Sequence, residues 1–276
     1  MHNAALAKLG LNWRYLAFDV DPAQLAPAIK GAQAMGFVGL NLTVPHKILA
    51  VDMVDYVDPA ARRWGAVNTI RFEGRTGEGD WLPLSLFNDG NPSQVRSAGF
   101  NTDADAIIRA IREDLNLTLS GKRILLLGAG GAGRAAALRI ADEQPTELVL
   151  INRTRAKAED LAREIASSQP AVKVALDYPD GPVDLVLNAT SLGLKLRDPL
   201  PINHDWLRAH PPGFAYDMIY RPAETPFLKA ARELGARTAN GLGMLLHQGA
   251  DALEIWTGQI APRETMRLAL QRFLQG

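Results

Sequence analysis

The sequence predicts an α/β protein with two domains, and three observations carry this prediction. The 276 residues are more than one small core needs and enough for two domains of ordinary size. In the second half of the chain, short apolar runs alternate with helix-favouring segments, as in a sheet with helices on both faces. The first hundred residues follow a less regular pattern, which indicates a separate domain.

Composition excludes several kinds of protein and site. Apolar residues make up 47% and charged residues 22% of the chain, which is typical of a globular protein. Thirty basic residues balance thirty acidic ones, so no net field favours nucleic acid or an anionic membrane as a partner. The absence of cysteine excludes disulfides and thiolate sites, and the five dispersed histidines predict no metal site. Without a signal peptide or a long apolar run, we expect a cytoplasmic protein.

The first domain is predicted to open with a helix and two strands. The dipeptide Asp21-Pro22 is typical of a helix N-cap and first helical position, and it predicts a helix to about Met35. Apolar residues predict strands at residues 37–44 and 66–72, with Pro45-His46-Lys47 as a turn after the first.

A long polar segment, residues 73–99, follows the second of these strands. It is rich in Gly, Asp, Asn, Ser and Pro, which favours turns. Within it, residues 81–87 alternate weakly between apolar and polar side chains. We interpret the segment as a long excursion or an added hairpin.

The second domain is predicted from five apolar runs. The predicted strands are Arg123–Leu127 and residues 148–151, 172–176, 185–187 and 214–218. Their near-continuous apolar character is typical of parallel strands that are covered on both faces. Helices are predicted after the first two strands, at residues 134–143 and at residues 155–167, where Thr154 can act as the cap. Two further helices, residues 242–256 and 263–274, close the chain and are expected to return to the first domain.

The most specific motif is the glycine-rich segment Gly128-Ala129-Gly130-Gly131-Ala132-Gly133, which directly follows a predicted strand. In this G-x-G-x-x-G spacing, Gly128 permits a tight turn, Gly130 lets a diphosphate approach, and Gly133 lets helix and strand pack closely. Free N–H groups at the start of the helix then face the phosphates. Such a turn alone is weak evidence, but its place in an alternating strand and helix pattern predicts a Rossmann-type dinucleotide-binding domain.

The residues after the second strand indicate which dinucleotide binds. NAD sites commonly carry an acidic residue there, whereas this chain has Asn152-Arg153-Thr154. Arg153 can pair with a 2′-phosphate, Thr154 can donate to it, and Lys157 lies one helical turn further on. The alternative is that Arg153 is an ordinary solvated residue at the start of a helix. We favour the phosphate role and therefore NADP over NAD.

Three polar clusters in the first domain are candidates for chemistry. They are Asn41-Leu42-Thr43-Val44-Pro45-His46-Lys47, Gly65-Ala66-Val67-Asn68-Thr69 and Asn101-Thr102-Asp103. Alternation along a strand would place Asn41 and Thr43 on one face, with Lys47 at the following turn. Each cluster also has an ordinary explanation: Lys47 as a surface lysine, Asn68 as a turn residue and Asp103 as a helix N-cap.

Taken together, these motifs resemble those of the shikimate dehydrogenase family. The other matching segments are Met1-His2-Asn3-Ala4-Ala5, Asn188-Ala189-Thr190-Ser191-Leu192-Gly193, Tyr216-Asp217-Met218-Ile219-Tyr220 and Asn240-Gly241-Leu242-Gly243-Met244-Leu245-Leu246-His247-Gln248. With the polar clusters, the glycine-rich turn and Asn152-Arg153-Thr154, they span nearly the whole chain in the family's order. Chance does not readily produce such a match.

The resemblance implies a reversible, NADP-linked oxidation of shikimate to 3-dehydroshikimate. It implies Lys47 and Asp103 as the catalytic pair, because ketone reduction needs a proton donor at the carbonyl as hydride arrives. The residues that it implies for the substrate are Asn41, Thr43, Asn68, Tyr220 and Gln248. Those that it implies for the cofactor, besides the glycine-rich turn, Asn152, Arg153, Thr154 and Lys157, are Asn188, Thr190, Met218 and Gly241. Met218 has a second interpretation as core, and Tyr220 as a wall of the cleft.

The resemblance also assigns a role to each predicted domain. Residues 1–103 and 241–276 would form the substrate-binding and catalytic domain, and residues 104–240 the NADP-binding domain. The chain departs from the family pattern at its start, because a strand with a Ser-x-Ser-Pro segment usually precedes Met-His-Asn and holds the substrate carboxylate. We expect a start codon that was assigned too late, the alternative being a protein without these serines. Ala104 replaces a usual glycine, and the longer segment of residues 73–99 could alter substrate choice.

Other functions stay open at this point. A quinate or quinate/shikimate dehydrogenase is the nearest, although Asn152-Arg153-Thr154 argues against an NAD-using one. Methylenetetrahydrofolate dehydrogenases share the two-domain plan, but the first polar cluster and the Gly-Met-Leu-Leu-His-Gln segment fit them poorly. A non-catalytic, nucleotide-binding paralogue would account for the missing serines but would need neither Lys47 nor Asp103. We expect a monomer or a homodimer.

Overall fold

The computed structural model describes residues 1–87, 92–195 and 197–275, and the predicted α/β class is confirmed there. The chain divides into two compact units, Met1–Thr102 with Leu246–Gly276, and Asp103–Leu245. The first unit has a mixed sheet and the second a parallel sheet. Within the described ranges, no helix is both long and apolar enough to cross a lipid bilayer.

The elements are numbered in chain order. The strands are β1 (Gly39–Asn41), β2 (Tyr56–Val57), β3 (Thr69–Arg75), β4 (Trp81–Pro83), β5 (Val95–Phe100), β6 (Arg123–Leu127), β7 (Glu147–Ile151), β8 (Lys173–Ala175), β9 (Leu185–Asn188), β10 (Phe214–Asp217) and β11 (Arg237–Asn240). The α-helices are α1 (His2–Lys8), α2 (Leu25–Ala34), α3 (His46–Leu49), α4 (Pro59–Trp64), α5 (Asp103–Leu115), α6 (Gly131–Asp142), α7 (Arg155–Ser168), α8 (His204–Ala209), α9 (Pro226–Glu233), α10 (Leu242–Thr257) and α11 (Arg263–Gln275).

The sheet of the first unit runs in the order β1-β3-β5-β2, and β4 pairs with β3. Its pairs are antiparallel except for β2 with β5, which is parallel. Leu25 and Ile29 of α2 join Ile70 and Phe72 of β3 in one buried cluster. The predicted cap of this helix is confirmed, because the Asp21 carboxylate accepts a hydrogen bond from Ala23 N at 2.8 Å. The cap precedes a single 3-10 turn, which leads into α2.

The strand predicted at residues 37–44 is shorter than expected, because β1 ends at Asn41. Leu42 N still donates to Asn68 O at 2.8 Å, but the chain then turns at Pro45, whose nitrogen has no hydrogen to donate. Thr43 lies outside the strand, so the prediction that Asn41 and Thr43 share one strand face is wrong. Lys47 lies in α3 and not in a turn.

The strand predicted at residues 66–72 is shifted along the chain, since β3 runs from Thr69 to Arg75. Val67 N donates to Lys47 O at 2.8 Å, and Asn68 N donates to Phe100 O at 3.0 Å. These bonds hold residues 66–68 as a connection between α4 and β3 and not as part of the strand.

The hairpin interpretation of residues 73–99 is confirmed, because β3, β4 and β5 form antiparallel pairs there. Residues 88–91 lie outside the described part of the chain. Glu73 is 1% exposed and accepts hydrogen bonds from Arg71 Nε at 2.9 Å and Arg96 Nε at 2.6 Å. This buried ion cluster ties β3 to β5, and polar residues therefore build β-structure where composition favoured turns.

The parallel sheet of the second unit runs in the order β11-β10-β9-β6-β7-β8. This is the strand order of doubly wound dinucleotide-binding folds, in which ligands bind at the carboxyl ends of the strands beside the switch between β6 and β9. The prediction for β6 is confirmed residue for residue, and the other four predicted strands are confirmed with ends that differ by one residue. The strand β11, an edge strand of Arg, Thr, Ala and Asn without an apolar run, was not predicted from the sequence. The short helices α8 and α9 were not predicted either.

Candidate functional site

The glycine-rich turn joins β6 to α6. Gly128 has a φ of +102°, a backbone conformation that residues with a side chain rarely adopt. A Cβ on Gly133 would lie 2.1 Å from Gly128 O, so only glycine allows α6 to approach the turn this closely. A Cβ on Gly130 would meet no atom within 4 Å. The open side of Gly130, at the N-terminus of a helix, is where a diphosphate can reach free N–H groups. The turn therefore fits a dinucleotide.

Asn152 connects this turn to the residues that follow β7. Its Oδ1 accepts a hydrogen bond from Ala129 N at 2.9 Å, and its Nδ2 donates to Thr154 O at 2.8 Å. Thr154 occupies the N-cap position of α7, but its side chain makes no capping bond, so the predicted cap is wrong in this respect. With the Thr154 carbonyl held by Asn152, the Thr154 hydroxyl is left exposed for other partners.

Two cations lie near Thr154 along the chain, Arg153 directly before it and Lys157 in the first turn of α7. The side chains of Arg153 and Lys157 are exposed, and neither forms an ion pair with a described residue. Arg155, by contrast, pairs with Asp177 at 2.8 Å and with Glu159 at 3.2 Å. The charge that remains uncompensated at the start of α7 therefore belongs to Arg153 and Lys157, which suits an anionic group.

Asn188, at the end of β9, is fully buried and holds the following turn. Its Oδ1 accepts hydrogen bonds from Thr190 N at 3.0 Å and Thr190 Oγ1 at 2.8 Å. Its Nδ2 donates to Leu192 O at 3.2 Å and to Asp217 Oδ1 at 3.1 Å. Because these bonds occupy both the oxygen and the nitrogen of the amide, Asn188 stabilises the conformation of the turn.

Asp217, at the end of β10, is the buried centre of this arrangement. It accepts hydrogen bonds from Thr225 Oγ1 at 2.7 Å and from Ile219 N at 3.0 Å, besides that from Asn188. Burial raises the pKa of the Asp217 carboxyl above its ordinary value, although these donors act in the opposite direction. The sequence reasoning included Asp217 in a motif but gave it no role.

Met218, Tyr220 and Gly241 follow the same edge of the parallel sheet. Met218 is half-buried, and Tyr220 is 38% exposed. A Cβ on Gly241 would lie 2.1 Å from Met218 O, so glycine is required where the chain passes from β11 into α10. Gly241 N also donates to Ile219 O at 3.1 Å. Gly241 therefore fixes the position of the Met218 backbone.

In the first unit, Asn41 is the hub of a polar network. Its Nδ2 donates to Asn68 O at 3.2 Å and to Thr69 Oγ1 at 3.0 Å. Its Oδ1 accepts a hydrogen bond from the Tyr15 hydroxyl at 3.1 Å. Asn41 is half-buried and lies at the end of the edge strand β1.

Asn68 continues the network and is 1% exposed. Its Oδ1 accepts hydrogen bonds from Thr102 N at 2.8 Å and Thr69 Oγ1 at 3.1 Å, and its Nδ2 donates to Thr102 Oγ1 at 3.0 Å. The Thr102 hydroxyl in turn donates to Gln248 O at 3.0 Å. The structure thus brings together Asn41, Asn68 and the backbone of Gln248, three regions that are far apart in the sequence.

The two residues expected to be catalytic adjoin this network along the chain. Lys47 is half-buried in α3, and its carbonyl accepts a hydrogen bond from Val67 N, next to Asn68. Asp103, the first residue of α5, is 7% exposed and directly follows Thr102. Lys47 belongs to the first unit and Asp103 to the second. Thr43 is exposed, three residues before the start of α3.

Three members of the network, Tyr15, Thr69 and Thr102, were not among the expected site residues. Thr69 and Thr102 lie in polar clusters of the sequence but had no role assigned to them, and Tyr15 has no local sequence signal, because its partner Asn41 is 26 residues away. Among the described residues, no three His, Asp or Glu side chains are grouped so that they could hold a metal ion.

Three family profiles match the chain in succession. The profile described as the shikimate dehydrogenase substrate binding domain matches residues 1–70. That described as shikimate/quinate 5-dehydrogenase matches residues 110–191, and the shikimate 5'-dehydrogenase C-terminal domain matches residues 241–271.

Individual proteins with similar sequences or structures cover nearly the whole chain. A protein named shikimate dehydrogenase (NADP(+)) from Moorella thermoacetica is 42% identical, over 98% of this chain and 87% of that protein. The structure of shikimate 5-dehydrogenase from Thermus thermophilus, in complex with NADP(H) and shikimate, has a TM-score of 0.79 and 33% identity, and covers 98% of this chain and 92% of its own. A 5-ketofructose reductase from Gluconobacter has a TM-score of 0.77 and 32% identity, covering 98% of this chain and 91% of its own.

Proposed function

The chain belongs to the shikimate dehydrogenase family, and on this premise we propose that it catalyses the reversible, NADP-dependent reduction of 3-dehydroshikimate to shikimate. The observation that carries the proposal is the open glycine-rich turn, with two cations at the start of α7 that form no ion pair with a described residue, in a chain whose relatives are named for NADP. The proposal places the enzyme in the cytoplasm, as a monomer or homodimer that acts in aromatic biosynthesis.

In this proposal Lys47 and Asp103 are the catalytic pair, and Lys47 transfers the proton. The glycine-rich turn, Arg153 and Lys157 would hold NADPH, which would supply the hydride for the carbonyl carbon. Lys47 donates a proton to the carbonyl oxygen, which becomes the new hydroxyl, and takes the proton back in the oxidation direction. Asp103, the buried first residue of α5, is the second member of the proposed catalytic pair.

Neutral side chains would bind the substrate, which suits a ring whose hydroxyls both donate and accept. Asn41 has its two N–H groups engaged by the protein, so its amide oxygen is the atom that can accept from a ring hydroxyl. The exposed hydroxyls of Thr43 and Tyr220 and the Gln248 side chain are the other groups that we assign to the substrate. We assign Asn68 to the support of this set, because it is buried and bonded to Thr102.

The cofactor preference can be tested at Arg153. We expect Arg153→Ala to weaken NADPH binding roughly ten- to hundredfold, which is the usual worth of hydrogen bonds to a charged group. Binding of NADH, which lacks the 2′-phosphate, should hardly change. Dissociation constants from the quenching of protein fluorescence would measure both effects.

Arg163→Ala is a suitable control for this change. Arg163 lies ten residues further along the chain, within α7, is exposed, and contacts Asp160 on the same helix. This variant should bind both cofactors as the unchanged protein does. Equal weakening of NADPH and NADH by Arg153→Ala would contradict the phosphate role.

The substrate can be tested with a panel of shikimate, quinate and 5-ketofructose, each against NADP(H) and NAD(H). We expect the highest kcat/KM for shikimate with NADP. The reaction is monitored by the absorbance of the reduced nicotinamide. A preference for quinate would place the chain with the quinate enzymes that share its central profile. Activity with 5-ketofructose alone would instead group it with the Gluconobacter reductase. Cofactor binding without any turnover would favour a non-catalytic paralogue.

A further inference from the structure

Tyr15 lies in the segment between α1 and the turn before α2, and three contacts fix it. Its ring stacks on that of His2, with centroids 4.2 Å apart and an angle of 9° between the planes. Its backbone is held on both sides by Asn3, which donates from Nδ2 to Tyr15 O at 3.0 Å and accepts at Oδ1 from Tyr15 N at 2.7 Å. The Tyr15 hydroxyl is therefore held in place by groups other than its own hydrogen-bond partner.

That partner is Asn41, to whose Oδ1 the Tyr15 hydroxyl donates at 3.1 Å. The amide of Asn41 is otherwise engaged at nitrogen, with one N–H to Asn68 O and one to Thr69 Oγ1. A carboxamide oxygen has two lone pairs. With one of them taken by Tyr15, Asn41 has one acceptor position left, in a direction that the three bonds define.

Both rings in this arrangement are neutral near neutral pH. Burial lowers the pKa of His2 to about 4, and the hydrogen bond between His2 Nε2 and Gly249 O at 3.0 Å does not offset it. Burial also raises the pKa of the Tyr15 phenol, which therefore keeps the proton that it donates to Asn41. Trp256, whose ring centroid lies 6.2 Å from that of Tyr15, covers the same group.

We infer that Tyr15 is a positioning residue, whose hydroxyl aims the remaining acceptor position of Asn41 at a hydroxyl of the substrate ring. The inference rests on the proposed function, in which Asn41 binds shikimate. It also gives His2 and Asn3 a role, because their contacts hold Tyr15. Without the Tyr15 hydroxyl, water competes for both lone pairs of Asn41, and the amide loses one of the bonds that set its plane.

The test is Tyr15→Phe, which retains the stacked ring and removes only the hydroxyl. We expect the KM for shikimate to rise roughly three- to tenfold, the range for loss of one neutral hydrogen bond. The kcat and the dissociation constant for NADPH should stay near those of the unchanged protein. A purely structural role would instead lower the melting temperature and leave the KM for shikimate as it was.

Two further variants separate the possible results. Tyr56→Phe makes the same chemical change on β2 of the same unit, where the ring packs against Arg96 at 4.6 Å, and it should leave KM unchanged. In an Asn41→Ala background, Tyr15→Phe should raise KM no further, because Tyr15 acts through Asn41. Additive effects in this double-mutant cycle would overturn the inference.

Direct binding of shikimate, measured by calorimetry, separates failure of this inference from failure of the proposed function. If the unchanged protein does not bind shikimate, the proposed function is contradicted, and the role of Tyr15 in it is contradicted too. If the unchanged protein binds shikimate and Tyr15→Phe binds it equally well, only the role of Tyr15 is overturned.

Discussion

Replacement of Lys47 by alanine is expected to lower kcat for 3-dehydroshikimate reduction roughly a hundred- to ten-thousand-fold, the usual range for loss of a general acid. The hydride still reaches the carbonyl carbon in this variant, but water must supply the proton to the developing alkoxide. NADPH binding should stay normal, because Lys47 lies in α3 of the first unit whereas the glycine-rich turn belongs to the second. Single-turnover measurements with saturating NADPH would isolate the chemical step from product release.

Lys30→Ala is the matched control, since Lys30 is an exposed lysine on α2 of the same unit. Its turnover should equal that of the unchanged protein. If Lys47→Ala loses NADPH affinity or unfolds at a markedly lower temperature, Lys47 is structural. If its kcat falls less than about tenfold, a different group must donate the proton.

The parallel sheet was predictable because burial on both faces leaves a direct record in the sequence. Residues 123–127 read Arg-Ile-Leu-Leu-Leu, and their strand has the predicted ends. The edge strand β11 pairs only with β10, its residues are exposed or half-buried, and Arg237–Asn240 carry no apolar run. The edge strand β8 is also partly exposed, but it was predictable because it lies within the apolar run of residues 172–176.

The first unit was predicted less well, because its strands are set by tertiary hydrogen bonds. Apolar residues continue beyond Asn41, yet β1 ends there, and the Leu42 N–H bonds to Asn68 O just before the turn at Pro45. In residues 73–99, composition favoured turns, but the buried Glu73 between two arginines stabilises a sheet of polar strands. Propensity gives no account of such pairings.

The candidate site likewise has residues that local motifs predict and residues that only tertiary contacts reveal. The glycine spacing and Asn152-Arg153-Thr154 are local motifs whose physical reason is local, and the geometry around Gly128 and Gly133 agrees with that reason. Tyr15, and the role of Thr102 as a partner of Asn68, were revealed only by the structure, since these bonds to Asn41 and Asn68 cross 26 and 34 residues. The family resemblance indicates which residues bind a substrate, but it does not indicate the distant residues whose hydrogen bonds orient them.

The last expected result concerns two glycines of the same turn, for which opposite outcomes are predicted. Gly133→Ala should destabilise the protein by roughly 2–4 kcal/mol, because its Cβ would lie 2.1 Å from the backbone oxygen of Gly128, which cannot move aside cheaply. Gly130→Ala should melt as the unchanged protein does, since its φ of −76° suits alanine and its Cβ meets no atom within 4 Å.

In cofactor binding, by contrast, Gly130→Ala is the variant that should be impaired. The methyl group of Gly130→Ala points into the space that the proposal gives to the diphosphate, so a correctly folded protein should lose NADPH affinity by more than about tenfold. Thermal unfolding with and without NADPH measures both quantities, because a ligand that binds only the folded state raises its stability. If Gly130→Ala were stabilised by NADPH as strongly as the unchanged protein, the diphosphate would have to lie elsewhere. If Gly133→Ala kept full stability, the close approach of α6 to Gly128 would not be what requires a glycine there.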